Sequence, residues 1–354
     1  MEPHLQGEEE ETLVQLSTDR RFPPIDLPAP EEAATLEPFS GSEGYQSLTQ
    51  SAPFLDEDFV QTPKAGAQQG WRRWINDASG GLVTLGPSAS EAESTALLER
   101  VRTPLTGCRR IVVLSRKGGV GKTSVTLGLG HTFATLRPDR VVALDANPDV
   151  GTLGYRIAGL PGRTLTELLD DAEQITRYSE VRKYTTQASS RLEVIASDDD
   201  ARITRGVGEH EYQAAVDVLE RHYNLLLTDT GTDITHSIIQ GILAGADQVV
   251  LVAAPSLDGA RAASKTFDWL EQNGHGYLVR GSVVVLNGVR RRMLVDLDRL
   301  AAHFAARSRA VVPLPWDRHL EAGAQTSLED LHPSTRAAYV QVAAAVADGF
   351  GPAH

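Results

Sequence analysis

Cysteine is almost absent from this 354-residue chain. Cys108 stands alone, which excludes an intramolecular disulfide framework and a cysteine-based zinc or iron–sulfur site within one chain. The ten histidines show no HExxH-type spacing, and no GxSxG elbow occurs, so zinc hydrolase and serine hydrolase chemistry find no support. Long apolar runs are missing too. The longest, Val249 to Pro255, is a strand's length, far short of the roughly 18 residues that span a bilayer. The start, MEPHLQGEEEE, has neither a basic n-region nor an apolar h-region, so no secretory signal is read and a reducing cytoplasm is the expected compartment. Positive charge is scarce only locally. Residues 1–60 hold fourteen carboxylates against Arg20 and Arg21, or −12 of the chain's −13. The acidity therefore belongs to a tail and says nothing about the partners of the folded part.

Residues 1–69 mix Glu, Pro, Ser, Thr and Gln without a sustained apolar period. Such a segment buries too little apolar surface to offset its ordering entropy, and it reads as a disordered acidic tail. Residues 70–106 read as an extension whose short helices pack on the core. Trp71, Trp74 and Ile75 fall at i, i+3, i+4, and Leu97, Leu98 and Val101 share one side of a helix over 89–102. From 107 to 354, apolar runs alternate with helical patterns: RRIVVLS then 122–136, RVVALD, RLEVIAS then 211–222, YNLLLTD then 235–244, QVVLVAAP then 259–272, GSVVVLN then 293–307, AVVPLP then 334–350. Continuous apolar strands separated by helices predict an α/β fold, a mostly parallel sheet covered by helices on both faces. About 245 residues suffice for one core burying roughly three quarters of the unfolded surface.

The chemistry sits where the first strand meets the first helix, in RKGGVGKTS. In a P-loop, backbone N–H groups of a Gly-rich turn surround phosphates, a lysine reaches the outer pair, and a Ser/Thr hydroxyl ligates Mg²⁺. Gly118, Gly119, Val120 and Gly121 form that turn, Lys122 is the lysine, Thr123 the metal ligand, and Ser124 follows in the phosphate cradle. The pattern GxxxxGK[ST] fails at one position, where Arg116 replaces the first glycine and is followed by a second lysine, Lys117. Downstream, RVVALDANPDVG ends a strand on Asp145, with Asn147 and Asp149 in the loop. YNLLLTDTG carries Asp229 at a strand's carboxyl end, placed to hold the Mg²⁺ shell, and Gly231 behind it.

The form xKGGVGKT[ST] resembles the deviant Walker A motif of the ParA/MinD branch of P-loop ATPases. That resemblance implies ATP and Mg²⁺ as cofactors and an ATP-dependent homodimer with slow, partner-stimulated hydrolysis. It also implies that Lys117 crosses the dimer interface to the partner's phosphates. Asp145, and after it Asp149, would polarise the attacking water or tune the Mg²⁺ shell. Gly231 would give a backbone N–H to the γ-phosphate, and Asn287 and Pro315 would lie on the adenine side. Relatives usually carry D-x-D where this chain has Asp145 and Asn147, which bears on the hydrolysis rate.

Over roughly 70–350, strings such as GWRRWINDASGGLVTLGPS and LTDTGTDITHS resemble an actinobacterial EspI-like subfamily associated with type VII (ESX) secretion. A protein partner in secretion or positioning machinery is the corresponding expectation. The C-terminal helix, STRAAYVQVAAAVADGF, has only Arg336 basic, unlike a MinD-type membrane helix. Residues 280–318 carry eight arginines against three aspartates, leaving nonspecific DNA binding open beside a solvated face with local ion pairs. The alternative to a switch ATPase is a nucleotide-binding scaffold with negligible hydrolysis whose acidic tail docks a partner.

Overall fold

A computed structural model describes residues 89–147, 151–157, 162–198 and 207–351. The acidic tail, the Trp71/Trp74 segment and Asp149 lie outside the described residues.

The strands are short and apolar because both of their faces are covered. In β1 (Arg109–Leu114) the side chains of Ile111 and Val113 enter one apolar layer and those of Val112 and Leu114 the other, all buried. The same division runs through β2 (Val141–Ala146), where Val141 and Ala143 face one way and Val142 and Leu144 the other. Alternation persists in such a strand, but with apolar residues on both sides it is invisible as a hydropathy pattern. With β3 (Thr186–Gln187), β4 (Glu193–Ile195), β5 (Leu225–Thr230), β6 (Gln248–Ala253), β7 (Val283–Val289) and β8 (Ala310–Pro315), the sheet has the order β3-β4-β2-β5-β1-β6-β7-β8. Every pair is parallel except β3–β4.

This order decides where ligands bind. The chain leaves β1 toward β2 on one side, returns as β5 directly beside β1, then continues as β6 on the other side. Ligands of open α/β sheets collect at the carboxyl ends of strands around such a reversal. The register brings Val113 of β1 opposite Asp229 of β5, and Asp229 opposite Asp145 of β2.

The helix after β1, α2 (Lys122–Leu136), lies almost wholly inside. It packs with α1 (Ala89–Val101) and the C-terminal helix over one sheet face, where Leu127, Phe133, Tyr339, Val342 and Val346 meet. Gly128 makes this packing possible, since a Cβ there would lie 2.1 Å from the Tyr339 ring. The first helix is tied down by a two-pronged Arg100–Asp348 bond at 3.0 and 2.6 Å, and by Arg137, whose guanidinium donates to the Thr103 carbonyl at 2.8 Å. On the other face, Tyr212, Val216, Ile239, Ile242, Phe267 and Phe304 form the second layer.

Boundaries match the sequence reading closely for the long elements: the predicted helix 122–136 and strand 310–315 occur with those limits. The two-residue antiparallel β3 was not anticipated, nor were four short helices: α3 (Leu165–Asp170), α4 (Tyr178–Val181), α8 (Gly276–Gly281) and α10 (Arg318–Ala322). Between α4 and α8 come α5 (Glu209–Leu219), α6 (Ser237–Ala244) and α7 (Leu257–Gln272), and α9 (Leu297–Ala305) precedes β8. The C-terminal α11 (Pro333–Ala347) turns Ala338, Tyr339, Val342 and Val346 into the core. Among the described residues no helix is long and apolar enough to cross a membrane.

Candidate nucleotide site

The loop between β1 and α2 turns through Gly119 at φ +73° and Gly121 at φ +93°, conformations that favour glycine. Gly121 is needed twice over, because a Cβ on it would sit 2.2 Å from Asn287 Nδ2. A Cβ on Gly119 would meet nothing within 4 Å, so this glycine borders open space. That space is a cavity of about 560 Å³, within the range of small-molecule sites. Gly119 to Ser124 form one wall. Thr152 and Arg156 form another, and Asn287, Arg290, Pro315, Trp316, Leu320 and Glu321 close the far end.

At the near end the Thr123 hydroxyl donates to Asp229 Oδ2 at 2.6 Å, and the Thr126 hydroxyl donates to Oδ1 at 3.2 Å. Asp229 is buried, and burial pushes its pKa up, opposed by the bond from Thr123 and the charge of Lys122. Lys122 is shifted the opposite way: burial lowers its pKa, with Asp229 resisting. Its ammonium forms no ion pair among the described residues. A half-buried cation and a hydroxyl on a cavity wall, backed by a buried carboxylate, are a setting for polyphosphate with a small hard cation. Thr123 and Asp229 fit Mg²⁺, and Lys122 with the glycine backbone fits phosphate.

Asp145 lies deeper. Its Oδ2 accepts from Leu153 N–H at 3.0 Å and its Oδ1 from Asn147 N–H at 3.2 Å. Burial raises its pKa, and the neighbouring Asp229 charge adds to the effect. The carboxylate thus organises the loop after β2, and Gly151 is squeezed against it, with a Cβ predicted only 2.2 Å from Oδ2. Gly231 is buried just past β5 and does not border the cavity. Asn287 does border it, yet its side chain donates to the Val120 carbonyl at 2.8 Å, bracing the glycine turn.

Lys117 does not line this cavity. Its ammonium pairs with Asp258, in the first turn of α7, and that contact holds the Asp258 carboxyl below its ordinary range.

Four residues bearing on the site escaped the sequence reading. Thr126 could have been found, since i and i+3 share a helix face. Asp258 looked like an ordinary acidic residue in a helix's first turn. Arg156 and Trp316 join the site only through tertiary folding. The run of eight arginines, read as one stretch, is divided by the fold. Arg290, Arg291 and Arg292 follow β7 at the cavity end of the sheet. Arg307 is paired with Asp268 and Glu271 at 2.9 and 2.8 Å, and Arg309 donates to the Asp348 carbonyl near the start of β8. They do not form one basic patch.

The comparisons with known proteins agree with this geometry. The chain is 35% identical over 290 residues to the ESX-1 secretion-associated protein EspI of Mycobacterium tuberculosis. The match covers 81% of this chain and 43% of that protein, so the chain spans less than half of that relative. It is 24% identical over 200 residues to the septum site-determining protein MinD of Bacillus subtilis, covering 55% of this chain and 72% of MinD. Among solved structures, the ParA family ATPase of Chlorobium tepidum TLS superposes with a TM-score of 0.57 at 16% identity, covering 67% of this chain and 98% of that one. Residues 111–327 match the model of the CobQ/CobB/MinD/ParA nucleotide binding domain, and the chain belongs to that family.

Proposed function

We propose that this protein is an Mg²⁺-ATP-dependent dimerising switch with slow hydrolysis. The observation that carries the reading is Lys122. Its ammonium, which forms no ion pair among the described residues, lines a 560 Å³ cavity beside Thr123 and feels the charge of the buried Asp229 that Thr123 donates to. A buried cation left unpaired is costly unless an anion completes the site. The glycine turn offers backbone N–H groups, Lys122 a point charge for the outer phosphates, and Thr123 with Asp229 a seat for the metal. Bound Mg²⁺ would supply neutralisation of phosphate charge. Asn287, Pro315 and the far wall then receive the base. Asp145 shapes the loop from which an attacking water would be oriented, and Asn147 in place of a second aspartate is consistent with slow turnover.

Lys117 carries the dimerising part of the proposal. Its partly exposed ammonium is held by Asp258, and would be free to complete a partner's phosphate site once it leaves that carboxylate. The resemblance to EspI, a secretion-associated protein, supports a role beside secretion machinery, whose partner protein the ATP-bound dimer would engage. A DNA-coating role has less support, because the fold separates Arg307 and Arg309 from Arg290–Arg292.

Light scattering with and without MgATP tests the reading, together with phosphate release. The expected result is a monomer that dimerises with ATP. In Lys117→Ala, ATP affinity stays within a few-fold of wild type while dimerisation and turnover are lost, since an unpaired interfacial charge costs about 2–5 kcal/mol. A dimer that survives Lys117→Ala would make this a P-loop protein of another design. Dimerisation with no phosphate release, even with candidate partners present, would favour the scaffold.

A further inference from the structure

A second cation faces the same cavity. Arg156 stands in the short turn Gly154–Arg156 that follows the loop organised by Asp145. Its Nη1 donates to Ser124 Oγ at 2.9 Å, and among the described residues its guanidinium forms no other hydrogen bond and no ion pair. The rest of its N–H fork is uncommitted, although Arg156 is close enough to Asp229 to help hold that carboxyl's pKa down. Arginines in such settings ordinarily find a carboxylate. Here the residue lines a cavity instead.

Its position along the cavity is fixed at two points. On one side it touches Ser124, one residue beyond the metal-binding Thr123. On the other, its Nη2 would lie 3.4 Å from a Cβ on Gly323, the left-handed residue closing α10. That helix carries Leu320 and Glu321, which belong to the wall at the far, base-receiving end. The guanidinium therefore stands between the phosphate loop and the base wall. The backbone holds it there: the Arg156 carbonyl accepts from Thr326 N–H at 2.8 Å, and the Ser124 carbonyl accepts from the Tyr339 hydroxyl at 3.0 Å.

We infer that Arg156 binds the phosphate nearest the sugar of a nucleoside di- or triphosphate, as a cationic contact from outside the P-loop. This inference rests on the nucleotide reading of the site and deepens it. The metal and Lys122 cover the outer phosphates and leave the innermost one without a counter-charge. Lys117 cannot supply it while paired with Asp258. A planar guanidinium suits the role because it grips two phosphate oxygens side by side. The same contact ties nucleotide to the segment after β2, since Leu153, three residues before Arg156, donates to Asp145. A contact at the innermost phosphate is present with ADP and ATP alike, which separates it from a γ-phosphate sensor.

Calorimetric titration of the full chain with MgADP and MgATP tests it, in wild type, Arg156→Gln, Arg156→Lys and Lys122→Ala. Arg156→Gln is expected to weaken ADP and ATP by the same factor, roughly ten-fold or more. Arg156→Lys should recover part of that loss, keeping the charge without the fork. Thermal melting of the ligand-free proteins shows that the variants are folded, and if Arg156→Gln is not, Arg156→Lys carries the test through its own equal loss for both nucleotides. ADP and ATP binding within two-fold of wild type in Arg156→Gln overturns the inference, and so does a loss confined to ATP. In either case a collapse of binding in Lys122→Ala leaves the nucleotide reading standing. A wild-type chain that binds neither nucleotide removes both.

Discussion

Two lysines five positions apart in RKGGVGKT end in opposite surroundings. Lys122 begins a buried helix, its pKa lowered by burial, with no ion pair among the described residues. Lys117 stands on the rim with its side chain 37% exposed and paired to Asp258. One is held in place by the core, the other by a single surface carboxylate. A cation fixed by packing is preorganised for a ligand and cannot relocate. A cation held by one exposed ion pair can exchange its partner at small cost, because such pairs are weak in water. The loop therefore combines a fixed binding side with a movable lip, and perturbing the two sides should give effects of different size.

The largest effect is expected on the fixed side. Lys122→Ala removes the ammonium that faces the cavity beside Thr123 and Asp229. Loss of a charge-assisted partner in such a site costs about 2–5 kcal/mol, or roughly 30-fold or more in affinity. Calorimetry with MgATP measures it. Wild-type affinity in Lys122→Ala would mean that the cavity takes its anion elsewhere.

The helix behind Lys122 offers a test of how rigid that side is. His131 lies buried in α2, its Nδ1 2.7 Å from Ser190 Oγ, and burial pushes its pKa down to about 4. The folded value lies below the unfolded one, so the unfolded chain takes up the extra proton on acidification. The stabilisation from keeping His131 neutral is complete above about pH 6.5 and is lost as the pH falls toward 4. Linkage puts it at about 3 kcal/mol over that interval. Denaturant unfolding of wild type and His131→Gln at pH 7 and pH 4.5 should show the variant losing less stability on acidification. Parallel pH profiles would mean that α2 opens enough to hydrate the ring.

The same contrast explains what the sequence made legible. The fixed side is written in local signals: apolar strand, glycine turn, Lys122-Thr123, and a helix whose predicted limits 122–136 are the observed ones. Asp229 was legible as a polar residue ending the apolar run Leu225–Leu227. The movable lip and the far wall were not. Asp258 lies 141 residues from Lys117, and nothing near either residue announces the contact. Arg156 meets Ser124 across 32 residues, through a turn with no hydropathy period. Asn287 was assigned to the base side by the family resemblance, but its amide also braces Val120, a contact visible only when β7 and the glycine turn are seen together. The two-residue β3 is too short to carry a period at all.

The smallest expected effect lies on the lip, and it distinguishes a latch from a bystander. The Asp258 side chain is 76% exposed and contributes little to holding the fold, so Asp258→Asn should leave thermal unfolding and the affinity of the monomer for MgATP unchanged. Among the described residues it is ion-paired with Lys117, with the Arg261 charge one turn further on, and Lys117 must leave it to serve a second subunit. Removing the carboxylate therefore favours the ATP-bound dimer, by at most about five-fold, since an exposed pair holds no more than that. Added salt screens the pair and should shrink the difference between variant and wild type. Light scattering across a concentration series, at low and moderate salt, reads both quantities. A tighter dimer in Asp258→Asn, converging with wild type as salt rises, identifies the pair as a weak restraint on Lys117. Equal dimerisation at low salt would mean that Lys117 leaves Asp258 freely, and the lip would be set by the partner subunit alone.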